Sequence, residues 1–343
     1  MRCVARLSVA LLACVVAPLL GQTPDVCGVP PDGAAAAYLH LSAGQMKKEL
    51  VELHGLKPAE DGDADAILRQ TSTVLGGMLA HVPNLLAQEQ LSQRTVALPY
   101  VLNEAERSSG AKMGASRSSG AQQMSGNSRA LEGQDLEQAL DEMLTTSSQQ
   151  NRFLYRVTSV PDPVLGHVLE ESRTNEANEA VMLSSRAGSP HGIGFSKEWL
   201  MFIPANLPQL RLRFLGRQKI DGRETLVVAF AQIPGKVSLP AEIQTGAGSC
   251  TYFTQGVVWI DRDASQIVRL RTDLQAPIEG IGLQRMRTGT QFSEVKIEGA
   301  NLSLWMPAQT EILWATKANA GGELHRYSGY RLFSAKVTLR PAP

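Results

Sequence analysis

From Arg152 onward the chain repeats one pattern: short runs with an apolar residue at every second position, separated by turn residues. Successive side chains of a strand point to opposite faces, so a period of two makes each run a strand with one dry and one wet side. Leu210-Arg211-Leu212-Arg213-Phe214 alternates cleanly. Gln218 to Phe230 reads as two strands around Asp221-Gly222, a pair that accepts positive φ in a tight hairpin. Gly256–Ile260, the turn Asp261–Ser265 and Gln266–Leu274 form a second hairpin. Its return strand sets Val268, Leu270, Thr272 and Leu274 against Ile267, Arg269, Arg271 and Asp273. Phe292–Glu298, Leu302–Met306, Gln309–Ala315, Leu324–Phe333 and Lys336–Arg340 continue the series. Such a meander folds as one curved antiparallel sheet, a half-barrel, and its dry side must pack on something.

The cover is supplied upstream. Met46, Leu50, Leu53 and Leu56 recur at helical spacing, as do Ile67, Leu68, Val74, Leu75, Met78, Leu79 and Val82, with Pro83-Asn84 ending that run. The expected organisation is therefore α+β: a helical N-terminal segment over 34–103 and a sheet domain over 135–343 led by a short helix near 131–144. Between them, 104–134 is rich in Ser, Gly, Ala and Gln, with Ser108-Ser109-Gly110-Ala111 repeated as Ser118-Ser119-Gly120-Ala121. That composition reads as a disordered linker or loop, because it offers too little apolar surface to order itself.

The first residues carry an export signal. Arg2 and Arg6 precede an apolar run, Leu7 to Leu20, which Gly21-Gln22-Thr23 closes, the layout of a signal peptide over 1–23. Leu11-Leu12-Ala13-Cys14 resembles a lipobox, which would make Cys14 a lipidation site. The greasy Val15 to Leu20 that follows favours cleavage near Gly21 to Thr23 instead. The mature chain then keeps Cys27 and Cys250, a possible disulfide in the oxidising periplasm or outside the cell. No later run approaches the roughly 18 apolar residues of a membrane helix, so an integral membrane protein is not expected. With 33 Lys+Arg against 33 Asp+Glu, no basic surplus points to nucleic acid.

Catalytic and metal motifs are missing: there is no Walker loop, no HExxH, no GxSxG elbow and no Cys/His cluster. No cofactor is expected. His191, in a glycine-rich loop, and His325, in the densest aromatic stretch, are the candidates if the chain is a secreted hydrolase. Asp261, Asp263 and Ser265 could ligate calcium, but turn chemistry accounts for them. Arg211, Arg213, Arg269 and Arg271 form either a cationic stripe or the solvated face of the sheet.

Gly256-Val257-Val258-Trp259-Ile260-Asp261 followed by Gln266-Ile267-Val268-Arg269-Leu270 resembles the G-x-W-I-D … I-x-R hairpin of the LolA, LolB and outer-membrane lipoprotein-sorting proteins. Leu304-Trp305-Met306-Pro307 is similar to their W-x-P step. Leu226-Val227-Val228-Ala229-Phe230, Phe292-Ser293-Glu294-Val295 and His325-Arg326-Tyr327-Ser328-Gly329-Tyr330 resemble runs in secreted Acidobacteria-type bacterial proteins of unknown function. The carrier resemblance implies an unclosed barrel around an acyl-binding cavity. From polarity, the expected cavity wall is Leu212, Phe214, Val228, Phe230, Trp259, Val268, Leu270 and Trp305. The leading expectation is a non-enzymatic envelope protein that binds a lipid or acylated peptide. The alternatives are an interaction module with a filled core that docks an envelope protein partner, and the hydrolase.

Overall fold

The computed structural model describes residues 25–26, 36–58, 64–97, 149–163, 166–177, 179–181, 197–238, 241–245 and 248–333. A two-residue strand β1 (Asp25–Val26) precedes helices α1 (Ala37–His40) and α2 (Ala43–Glu49), a 3-10 turn at Val51–Leu53 and the long helix α3 (Ala64–His81). Strands β2 (Leu85–Ala97), β3 (Gln149–Asp162) and β4 (Gly166–Thr174) follow, then the short helix α4 (Lys197–Leu200). Next come β5 (Leu210–Ile220), β6 (Arg223–Gln232), β7 (Ala241–Thr245), β8 (Gly248–Tyr252), β9 (Thr254–Asp261) and β10 (Gln266–Leu274). The last three are β11 (Leu283–Lys296), β12 (Ser303–Thr316) and β13 (Asn319–Leu332). The signal-peptide, Cys14, Cys27, 104–134, 131–144, His191 and Lys336–Arg340 readings lie outside the described residues.

Ten strands form one curved, unclosed antiparallel sheet in the order β4-β3-β2-β13-β12-β11-β10-β9-β6-β5. Sheet neighbours are chain neighbours except where β2 pairs with β13 and where β6 pairs with β9 across β7 and β8, which join β1 in a small sheet of their own; β4 and β5, consecutive in the chain, form the two edges. Asp221 and Gly222 have φ of 47° and 84°, so the hairpin turn uses the left-handed conformations that this pair tolerates. Gly256 is required by a close approach: a Cβ there would lie 1.9 Å from the Arg271 carbonyl oxygen.

The helical segment expected over 34–103 is helical only as far as His81. Residues 85–97 are strand β2, which sits inside the sheet between β13 and β3. Leu85, Ala87, Glu89 and Leu91 are its buried alternate residues. An acid in the third of those places hides the period of two. A smaller difference concerns β12, one strand where two were expected. The register slips between Gln291↔Gln309 and Phe292↔Pro307, which places the proline at a bulge, where its missing N–H breaks no ladder bond.

Each sheet face has its own core. On one, α3 packs with the Trp199–Ile203 segment over Leu226, Val228, Phe230, Val258, Ile260, Leu270 and Phe292. The sheet-facing residues of α3 are Ala64, Ile67, Leu68, Thr71, Ser72, Leu75 and Leu79, a stripe at the three- and four-residue spacing of one helix face. The helix reaches from β4 to β10. On the opposite face Tyr38, Met46, Leu50, Leu53 and Leu56 pack on Val227, Ala229, Val257, Trp259 and Val268. A capping box starts α2, with Ser42 accepting from the Gln45 N–H and the Gln45 side chain accepting from the Ser42 N–H.

Candidate functional site

The structure divides the eight expected cavity-wall residues between the two faces. Phe214 pairs with Val228 and Leu212 with Phe230. Val228, Phe230 and Leu270 belong to the α3-face core, with Phe214 packed partly buried against it. Leu212 is exposed. Trp259 pairs with Val227 and lies on the α1–α2 face, its indole N–H donating to Gln218 Oε1 at 3.0 Å. Val268 joins it there. The reason is a β-bulge: Ile267 pairs with Ile260 but Arg269 pairs with Trp259, leaving Val268 without a partner. One extra residue reverses the alternation, so Ile267 and Leu270 share a face while Val268 does not. Trp305 is partly buried and touches both cores.

The α3 face also holds a buried polar set that alternation alone does not reveal. Glu89 on β2 accepts from Arg173 on β4 through both carboxylate oxygens, at 2.5 and 3.0 Å. It also accepts from His325 Nδ1 on β13 at 2.7 Å and from the Tyr327 hydroxyl at 3.2 Å. His325 Nε2 faces Glu323 Oε2 at 3.3 Å. Tyr155 donates to Glu171, and Arg173 lies over the Tyr155 ring at 5.3 Å. All four members of the acid–base quartet, Glu89, Arg173, Glu323 and His325, are buried. With a carboxylate at each ring nitrogen, His325 is placed to donate from both, an arrangement that favours its protonated form. Burial alone would lower its pKa, but the hydrogen bonds to Glu323 and Glu89 outweigh burial and raise it above the usual 6.5. Burial likewise pushes Glu89 up, and His325 with Arg173 more than reverses this and holds it below 4.5. His325 therefore sits in the sheet interior with both ring nitrogens engaged by carboxylates.

A second acid lies in the covering layer. Glu198 of α4 hydrogen-bonds Thr290 of β11, and burial raises its pKa to about 8. Its Oε2 is sealed from solvent and has no hydrogen-bond partner among the described residues. Thr290 in turn shares a 3.0 Å hydrogen bond with Thr310, both fully buried. Burial and the nearby Glu198 push Tyr252 up to about 12. Because the unfolded carboxyl ionises near 4.5 and the folded one near 8, Glu198 costs stability that grows across that interval. The cost is on the order of 2 to 3 kcal/mol at neutral pH. Glu198→Gln is therefore expected to raise the unfolding midpoint at pH 7 and leave it unchanged at pH 4. A thermal-unfolding series with equal shifts at both values would refute this.

Of the four arginines read as a stripe, Arg213 and Arg271 clamp the N-terminal segment. Arg271 is buried and binds Glu52 through Nη1 at 3.0 and 3.1 Å and Asp273 through Nε and Nη2 at 2.8 and 3.0 Å. Arg287 pairs with Glu311 at 2.9 Å. Arg213 donates to the carbonyls of Leu41 and Tyr38, and Arg269 lies over Trp259 at 5.8 Å. Arg211 stays exposed. Glu52→Ala, which removes the helix side of this clamp, should cost about 2 kcal/mol, less than a fully sealed pair because Glu52 is partly solvated. Chemical denaturation measures it, and a loss below about 0.5 kcal/mol, the scale of an ordinary surface change, would refute the clamp. Asp261 likewise serves its turn: Oδ1 accepts the N–H groups of Asp263 and Ala264, both at 2.9 Å, and Oδ2 accepts from Arg223 at 2.8 Å.

Among the described residues no three His, Cys, Asp or Glu form a metal-holding group, and no helix is long and apolar enough to cross a membrane. An open cleft of about 730 Å³ at the start of β3 is polar, lined by Gln90, Gln150, Asn151, Arg152 and Asn175 among others. Cys250 is disulfide-bonded and stands opposite Asp25 in the β1–β8 pair.

These elements define a class: an open antiparallel sheet with helices docked on both faces. No protein-family model and no curated protein matches the sequence. Solved structures similar to it include a DUF1329 family protein from Desulfovibrio piger, 12% identical over 78% of this chain and 92% of that one, with a TM-score of 0.33. A putative outer membrane lipoprotein-sorting protein domain from Vibrio parahaemolyticus is 10% identical over 78% and 90%, with a TM-score of 0.34. A LolA superfamily protein from Nitrosomonas europaea is 11% identical over 78% and 94%, with a TM-score of 0.31.

Proposed function

We propose that this is an exported, non-enzymatic binding protein of the bacterial envelope. It takes a hydrophobic ligand, a lipid or an acylated peptide, onto the α3 face of its sheet, and Cys27 is the disulfide partner of Cys250. In this reading α3 is a cover that the ligand displaces, while the Trp199–Asn206 segment stays on the sheet. The observation that carries it is chemical. Thr71 Oγ1 and Ser72 Oγ, on the buried side of α3, have no hydrogen-bond partner among the described residues. An unmet hydrogen bond at a buried hydroxyl costs about 1 to 3 kcal/mol. The α3 contact is therefore weaker than its apolar area implies, and a contact of that kind opens first. Met78 and Met201, partly buried at the same core, have flexible side chains that adapt to a changed neighbour. His325 cannot act as a base while both its nitrogens donate, which supports the non-enzymatic reading.

A filled-core interaction module is the competing reading. Trp199 against Phe292 at 5.3 Å and Phe202 edge-on to Phe230 at 5.2 Å favour it, because these rings already plug the apolar wall. Native mass spectrometry of protein drawn gently from its own envelope, with organic extraction, separates the two. Stoichiometric lipid in the wild type, and less in a Thr71→Val, Ser72→Ala double variant whose cover fits better, is the expected result. A bare chain that also fails to bind a dodecyl-chain probe overturns the proposal in favour of the filled core.

A further inference from the structure

We infer that Glu198 anchors the polar end of that ligand, and that this end is a neutral hydrogen-bonding group, a hydroxyl or an amide, rather than a carboxylate or phosphate. The inference rests on the ligand reading above and adds the head-group chemistry. Glu198 immediately precedes Trp199, the ring that packs tilted against Phe292 at the apolar wall, so the acid stands where cover and wall meet. One hydrogen bond to it comes from Thr290, and Thr290 is itself fixed by Thr310. Oε2 is left sealed and unpartnered among the described residues. A buried carboxyl oxygen in that state has an unfilled hydrogen-bonding requirement that the fold does not meet.

The surroundings select what can meet it. Among the described residues the charged group acting on Glu198 is Glu171, another acid, and Glu171 is already bound by the Tyr155 hydroxyl. Among the described residues the cations of the polar set on this face, Arg173 and His325, are engaged by Glu89 and Glu323. An anionic head at Glu198 would therefore be desolvated beside like charges. A carboxyl that stays protonated at neutral pH offers one donor and one acceptor. A hydroxyl or a primary amide complements both at once, which neither carboxylate nor phosphate does.

Isothermal titration at pH 7 with three dodecyl-chain probes tests this: lauroylglycerol, laurate and dodecyl phosphate. The glycerol ester is expected to bind about ten-fold tighter than either anion, the difference made by roughly one net hydrogen bond. Glu198→Gln, which keeps a donor and an acceptor and has no charge to form, should retain the ester and narrow the gap to laurate. Glu198→Leu should bind all three alike. A wild type that binds the three equally, or a Glu198→Leu protein that keeps the wild-type order, overturns the head-group assignment while ligand binding stands. Failure of all three probes removes ligand binding and the assignment with it.

Discussion

Glu89→Ala should lose about 3 to 5 kcal/mol of folding stability, the cost of breaking a sealed ion pair by removing one partner. The carboxylate is the hub of the quartet. It takes both bonds from Arg173 and one each from His325 and Tyr327, and its removal leaves the Arg173 guanidinium and the His325 ring buried without the carboxylate that joins them. Against a typical total of 5 to 15 kcal/mol, that loss is large enough to shift the urea midpoint strongly. The quartet also sets a pH signature. His325 has a raised pKa, so its contribution is complete below 6.5 and disappears as pH rises through the elevated value. Glu89 has a lowered pKa, so its contribution is complete above 4.5 and disappears as pH falls through the depressed value. Stability from this set is therefore greatest between those two limits, and Glu89→Ala should flatten both limbs. A variant within about 1 kcal/mol of wild type, with an unchanged pH profile, would show that the quartet contributes little.

The quartet also shows where the sequence stops being readable. The hairpin at Asp221-Gly222 is legible because its requirement is local: two residues that tolerate positive φ. Most of the sheet order follows from such hairpins, the pairings of β2 with β13 and of β6 with β9 being the exceptions. Strand β2 is not legible, because Glu89 occupies a core position that becomes acceptable only when Arg173 and His325, 84 and 236 residues away, close around it. No window along the chain contains all three. Helix periodicity before Pro83 then extends by default into residues that are strand. The bulge at Val268 is hidden for a different reason. An extra residue in a strand needs no special side chain there, so alternation read straight through it assigns Val268 to the face of Leu270. Arg271 looks like a solvated-face cation because Glu52 approaches from a turn 219 residues earlier. Glu198, in Lys-Glu-Trp-Leu, carries no local mark at all. Its role follows from which atoms surround one oxygen.

Cutting the disulfide at Cys250 should have the largest effect of any single change in this chain. Cys250 is disulfide-bonded, and Val26, paired with Thr251 of β8, is followed in the sequence by Cys27, its proposed partner. A bridge between those two positions closes a loop of about 220 residues, for which chain entropy alone gives about 5 kcal/mol at room temperature. That is an upper figure, since residual structure in the reduced unfolded chain lowers it. The native side of the balance agrees. β1 is only two residues long and pairs with a single strand, too little on its own to hold the N-terminal end of the chain to the inserted sheet. Reduction, or Cys250→Ser, is therefore expected to detach β1 and lower the denaturation midpoint by an amount matching several kcal/mol, with the ten-stranded sheet retained in the folded fraction. Peptide mapping without reductant should recover Cys27 linked to Cys250. Recovery of a different linkage, or a midpoint that does not move when the bond is reduced, would overturn the pairing or its weight in the fold. The bond also fits the export proposed above, because structural disulfides are found mainly in oxidising compartments.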